Sequence, residues 1–336
     1  MAMLEQNPPV RPYGRFGHQL IGSLVEYDPV GPFTGRQALG LPIGAQYLFG
    51  SFRSVDGNRY FAPVRHFHTD AALSLFVYSS DVGADFRYER DSAKAHRGII
   101  DMGQRDDGRW GWWRPEPEPR AYFLTDGVTA RWYERGLVDV TAEVREPMFQ
   151  IAAPDSVSPL HYSSAALRVC EGSTIMGEEV GGYLFHEHGH LPFGRGWTGA
   201  APFQDLEGTW VAFATEFADG NVHSGHLIVG RDNFSLAIIH RTDGPSYIAS
   251  DIGVEYELDD DGYALRMRYE PVPGDVWEWS RVGGARLPKS PLPGGPCWVE
   301  GVLQQAGETR TWVHADAWME TYPDRLMNLE RAKPFS

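Results

Sequence analysis

Residues 256–269 read Tyr-Glu-Leu-Asp-Asp-Asp-Gly-Tyr-Ala-Leu-Arg-Met-Arg-Tyr. The arms, Tyr256 to Leu258 and Tyr263 to Tyr269, alternate apolar with polar side chains, the period-two pattern of a strand that turns one face to a core. Between them Asp259-Asp260-Asp261-Gly262 supplies turn chemistry: short acidic side chains that bond their own backbone, then a glycine free to adopt positive φ. An antiparallel hairpin is predicted. The acidic turn lacks the alternate oxygen ligands and terminal Glu of a calcium loop, so a turn is read here rather than a metal site.

The same pattern recurs outward from this hairpin. Ala72 to Tyr78 and Thr209 to Phe217 are further short runs of strand character. Turn signals punctuate the chain at Asp56-Gly57-Asn58, Asp107-Gly108, Asp126-Gly127, Asp219-Gly220-Asn221 and Asp243-Gly244-Pro245. Amphipathic helical periodicity is scarce, because 24 prolines break most candidates. Asp316 to Arg331 is the one segment where a short helix is expected. The predicted class is mainly β: two consecutive antiparallel barrels or sandwiches with few helices. A length of 336 residues exceeds what one core usually serves. The strand pattern is interrupted at Pro147 to Pro159, which suggests an N-terminal unit over 1–150 and a C-terminal unit over 151–336.

Hydrophobic residues make up 42% of the chain and charged residues 22%, close to globular averages. No stretch approaches the roughly 20 apolar residues of a membrane-spanning helix, and the start lacks the basic-then-apolar order of a secretory leader, so a cytoplasmic location without membrane insertion is expected. Two cysteines, Cys170 and Cys297, are too few for a disulfide framework or a zinc site of their own. A formal charge of −15 repels phosphate backbones, which argues against nucleic acid as a partner. The basic cluster Arg87, Arg90, Lys94, His96 and Arg97 is interleaved with Asp85, Glu89 and Asp91 and reads as a solvated surface.

The densest chemistry lies in Gly181-Gly182-Tyr183-Leu184-Phe185-His186-Glu187-His188-Gly189-His190 and the following Leu191 to Trp197. In an extended chain His186, His188 and His190 project to one face and Glu187 to the other. Three imidazoles on one face could ligate a metal in the manner of a cupin, but the Glu that follows the cupin His-x-His pair and the second cupin motif are absent. Alternatively, Glu187, His188 and His190 act as acid, base or hydrogen-bond donors in a cavity with Arg195 as a fixed cation and Trp197 as an aromatic wall, which requires a bulge to bring both faces to one place. The remaining reading is a polar segment of structural histidines. Gly194 to Gly199 fits G-x-G-x-x-G, yet no helix or βαβ unit follows, so nucleotide binding is not inferred. His66 and His68 share a face and could complete a site, and Trp112, within Trp110-Gly111-Trp112-Trp113, could wall an apolar pocket or fill a core. Neither a G-x-S-x-G elbow, a Walker loop nor a C-x-x-C pair is present.

Tyr183 ahead of Glu187-His188, then Gly194-Arg195-Gly196-Trp197, resembles the Tyr-x-x-(Asp/Glu)-His and Gly-x-Arg-x-Trp neighbourhood of the hydroxyneurosporene-synthase-like superfamily, which includes carotenoid hydratases. Trp298-Val299-Glu300-Gly301 resembles its C-terminal strand with a glutamate. His190 and the Pro192-Phe193 insertion depart from that pattern. The resemblance implies two lipocalin-like barrels and cofactor-independent acid–base chemistry, as a lyase or isomerase, on a small apolar terpenoid, steroid or aromatic molecule. It implies Glu187 as the acid with Glu300 in reserve and His188 and His190 managing water or a proton; Tyr183, Arg195, Trp197, His66, His68 and Trp112 are the residues expected around the substrate. A non-catalytic carrier of the same kind of ligand, a metal-dependent enzyme using the histidine cluster, and self-association of the chain all remain open at this stage.

Overall fold

The computed structural model describes residues 19–89, 97–115, 120–154, 159–192, 206–289 and 295–335. Arg195 and Trp197 lie outside the described residues. The chain is mainly β, as its alternation predicts: among the described residues it forms a 16-stranded sheet followed by a 10-stranded one. The hairpin that opened the sequence reading pairs Val254–Leu258 with Ala264–Val272, and Gly262 takes φ +87° in its turn.

The first sheet runs, in spatial order, from Arg87–Tyr88 through Ala71–Asp81, Arg59–Phe67, Ile43–Phe49, Glu178–His190, Leu160–Val169, Val138–Val144, Thr129–Glu134 and Ala121–Thr125 to Trp110–Trp113 and Asp101–Gln104. Two consecutive short strands draw its ends together. Gly98–Ile99 pairs with Ala71 and Ala72 near one edge, and Asp101–Gln104 pairs with Trp110–Trp113 at the other, so the sheet curls around an apolar interior that includes Phe33, Leu48, Phe67, Trp112, Phe123 and Trp132. This closure hides the edges that an open sheet of such width would expose. The second sheet runs from Tyr247–Ser250 through Ser235–Arg241, Val222–Gly230, Glu207–Phe217, Trp312–Thr321, Cys297–Gln305, Asp275–Arg286 and Ala264–Val272 to Val254–Leu258 and Ala332–Pro334. It folds around Val211, Phe213, Met267, Trp277, Trp279 and Met319.

The two sheets pack against each other through their outer faces. Phe149, Ile151 and Tyr162 of the first meet Trp210, Ile228 and Ile238 of the second, and Phe49, Phe185 and Ala166 meet Ala212 and Ala214. The strands of the second sheet at the centre of this seam are therefore buried on both faces: every residue of Glu207–Phe217 and of Val222–Gly230 is buried. Sheet membership changes between His190 and Glu207, later than the 150/151 division suggested by the proline-rich segment, because Leu160–Val169 and Glu178–His190 pair within the first sheet. The expected helix over Asp316 to Arg331 is a correction: Trp312–Thr321 is a central strand and only Pro323–Leu326 is helical. Burial alternates only over Ala317–Thr321, too short a run to separate strand from helix by periodicity over the whole segment.

Candidate active site at the seam between the sheets

Strand Glu178–His190 divides its chemistry between two environments. His186, His188 and His190 point into the first barrel, where Phe33 stacks on His186 at 5.6 Å between ring centroids. Glu187, on the alternate face, points into the seam. Its cross-strand neighbours are Ser164 on one side and Tyr47 on the other. Gly189 faces Tyr162 in register, and the Tyr162 hydroxyl reaches diagonally to Glu187, two residues back along the strand.

The Tyr162 hydroxyl donates to Glu187 Oε1, and Ser164 Oγ donates to the same oxygen at 3.3 Å. Despite these bonds, burial pushes the Glu187 carboxyl up to about 8, with the charge of Glu320 adding to the effect. Desolvation wins because no cation offsets it among the causes acting on this group. Glu187 is thus a carboxylic acid at neutral pH, able to donate a proton. Aromatic rings surround it: Trp210 meets Tyr162 edge-on at 5.0 Å, and Tyr47 stacks on His66 at 4.6 Å. Burial lowers His66 to about 4, so its imidazole is neutral.

The second sheet brings more carboxyls to the same seam. Glu320 accepts hydrogen bonds from Trp298 Nε1 at 2.9 Å and Tyr322 Oη at 3.0 Å, and both Glu320 and its neighbour Glu207 are raised, chiefly by burial. Glu300 accepts the Ala317 N–H at 2.7 Å and is pushed up to about 7 by burial. Beside it, Asp316 accepts the Tyr183 N–H at 2.7 Å across the seam and is also raised, by burial and then by Glu300. Glu187, Glu207, Glu300 and Asp316 are buried and Glu320 is partly buried. Charged together they would repel strongly, so low dielectric and proximity favour their protonated forms.

Of the residues singled out in sequence, Glu187, Glu300, Tyr183 and His66 reach the seam, and His68 lies 5.2 Å from His66 between ring centroids. His188 and His190 do not join Glu187: the strand is regular from Tyr183 to Gly189, so they stay on its opposite face, and the register shift falls only between Gly189 and His190. Trp112 packs inside the first barrel against Phe67 at 5.2 Å, remote from this face. The three imidazoles stand in a row, 5.7 and 5.5 Å apart between successive centroids, and among the described residues no group of three or more His, Cys, Asp or Glu side chains is arranged to hold a metal ion. Tyr162, Glu207, Asp316 and Glu320 were not singled out in sequence, nor was His226, whose buried ring lies 5.8 Å from that of Tyr162 and 5.7 Å from that of Trp210 between centroids. Asp316-x-Trp318-x-Glu320 was a legible alternation, hidden by the helical reading of that segment. A surface groove of about 760 Å³ lined by Tyr256, Asp259, Arg266, Pro323 and Phe335 lies at the far edge of the second sheet and contains none of these carboxyls. No helix among the described residues is long and apolar enough to cross a membrane.

No family model matches the chain, and no curated protein matches it. Its structure is similar to that of a protein provisionally named AttH from Nitrosomonas europaea, at 14% identity and a TM-score of 0.46 over 88% of this chain and 100% of that one. It is also similar to CghA, at 12% identity and a TM-score of 0.47 over 90% and 99%. A third similar structure is kievitone hydratase from Nectria haematococca, at 8% identity and a TM-score of 0.42 over 89% and 96%.

Proposed function

We propose that this chain is a lyase or isomerase that works by acid–base chemistry on a small, largely apolar molecule held at the seam between the two sheets, with Glu187 as the proton donor. The observation that carries the reading is the state of Glu187: a buried carboxyl raised to about 8, held by Tyr162 and Ser164 amid aromatic side chains. A carboxylic acid that stays protonated at neutral pH can protonate an alkene or a leaving hydroxyl, as an ordinary surface carboxylate cannot.

In this mechanism Glu187 gives its proton to the substrate, and positive charge develops on carbon. The faces of Trp210 and Tyr47 stabilise that charge through their ring quadrupoles. The Glu187 carboxylate left behind is stabilised by the Tyr162 and Ser164 hydroxyls, which favour the ionised form. Capture by water gives hydration; loss of a neighbouring proton to a base gives elimination or isomerisation. Neutral His66, with Nε2 unpartnered, and neutral His226, with both ring nitrogens unpartnered beside Tyr162, are the imidazoles on this face able to receive a proton. The groups supply both halves of the exchange without a cofactor.

The test is to incubate the full chain with a panel of apolar alkenes and alcohols and to follow gain or loss of water, or rearrangement, by mass spectrometry. Turnover that disappears in Glu187→Gln while ligand affinity persists is expected. Tight binding of compounds that the wild-type chain never converts would establish a carrier instead.

A further inference from the structure

The face of Glu178–His190 turned away from Glu187 has its own unmet chemistry. His188 stands in register between Ser163 and Gln46 on the two flanking strands, so three polar side chains form one rung across the inner wall of the first barrel. All three are buried, and each keeps an atom without a hydrogen-bond partner: Ser163 Oγ, His188 Nδ1 and Gln46 Oε1. Gln46 is oriented, because its Nε2 donates to the Pro32 carbonyl at 3.3 Å, which leaves Oε1 as a free acceptor. Two residues along the strand, His190 Nε2 lies 3.3 Å from the Arg36 carbonyl. A carbonyl only accepts, so that nitrogen carries the proton and the unpartnered Nδ1 of the neutral ring is a bare acceptor. Trp112 Nε1, a donor only, is also unpartnered. It belongs to the same interior: Gln46 Nε2 approaches Met102 Sδ at 3.8 Å, and Met102 pairs with Trp112.

Leaving a buried donor or acceptor unmade forfeits its desolvation cost without return, and native proteins leave few such groups. Here several fall on one barrel wall, with acceptors, a donor and a hydroxyl within a single aromatic enclosure formed by Phe33, Phe67 and Trp112. The ionisable neighbours that act on His188 are all imidazoles, so neither a carboxylate nor a fixed cation claims the space. We propose that the interior of the first barrel is a second ligand seat, for a small uncharged molecule that joins an aromatic body to a hydroxyl: the Ser163–His188–Gln46 rung bonds the hydroxyl, and Phe33, Phe67 and Trp112 hold the body. The seat is separate from the seam because alternate residues of one strand face opposite sides of the sheet.

Phenol is the probe, titrated calorimetrically into the full chain, with benzene and benzoate as controls. One saturable phenol site is expected, with benzene about tenfold weaker for want of the hydroxyl bond, equivalent to about 1.4 kcal/mol, and benzoate weaker still. Ser163→Ala deletes a hydroxyl that has no partner in the free protein, so its melting temperature stays level or rises while phenol affinity falls several-fold. Addition of phenol shifts the ring-nitrogen resonances of His188. Absence of saturation, equal affinity for benzene and phenol, tighter binding of benzoate, or phenol binding lost in Glu187→Gln but kept in Ser163→Ala overturns the proposal.

Discussion

Replacing Glu187 with Gln tests the protonation state on which the proposed chemistry depends, and it does so without a substrate. A carboxyl whose folded pKa lies near 8 and whose ordinary value is 4.5 is neutral in the folded chain and ionised in the unfolded one throughout the interval between. Folding then takes up a proton, and the stability this group contributes, complete below pH 4.5, drains away as pH rises toward 8. The loss is about 1.4 kcal/mol per pH unit. Three units, from pH 5 to pH 8, amount to about 4 kcal/mol. Gln carries no such dependence. Whatever offset the lost Tyr162 and Ser164 bonds introduce is the same at each pH, and the raised pKa values of Glu207, Glu300, Asp316 and Glu320 are common to both proteins and largely cancel. The stability of Glu187→Gln relative to wild type therefore climbs by about 4 kcal/mol between pH 5 and pH 8. Urea unfolding at four pH values, with the slopes checked for constancy, measures it. Parallel profiles for the two proteins would show that Glu187 is ionised in the folded state at neutral pH, and the acid role would fall with it.

Tyr162→Phe removes a bond that favours ionised Glu187, so the Glu187 carboxyl titrates higher still, visible as an upward move of its carbon-13 resonance midpoint or of the alkaline limb of any turnover. Glu300→Gln behaves like Glu187→Gln with a shorter reach: its relative stability climbs from pH 5 and levels off near pH 7, as chemical denaturation would record. Arg65 and Glu134 form a fully buried ion pair in the first barrel. Arg65→Met alone costs about 3–5 kcal/mol by leaving the carboxylate uncompensated, whereas Arg65→Met with Glu134→Leu recovers most of it in the same measurement. Gly182 holds φ +131°, and a β-carbon there would lie 2.9 Å from both Asp316 Oδ2 and the Ser51 carbonyl, so Gly182→Ala lowers stability by about 1–3 kcal/mol in thermal or urea melts.

The all-β class was legible because short alternating runs and acidic glycine turns survive wherever a strand keeps one face in solvent, as at Tyr256 to Tyr269. Where two sheets press together, that signal fades. Glu207–Phe217 is covered on both faces and Trp312–Thr321 over part of its length, and their carboxyls cannot be told by pattern from surface acids. Glu187 was recognisable from its place in a dense polar segment, and the face opposition of Glu187 to the histidines followed from the two-residue period. What strand geometry could not convey was which partner each face would meet. Tyr162 comes to Glu187 from a neighbouring strand, and Glu320 from the other sheet, more than a hundred positions away in sequence. Such neighbours are products of topology rather than of local order.

The division of labour along Glu178–His190 bears on how this sequence can change over time. Substitution there edits one compartment and leaves its counterpart intact. Insertion or deletion of a single residue does something else: every side chain beyond the lesion trades sides, so an imidazole would enter the cleft between the sheets and a carboxyl would enter the barrel. Both compartments would be lost in one event. The segment should accordingly tolerate drift in composition far better than drift in length, and a length change that survives should arrive in pairs of residues.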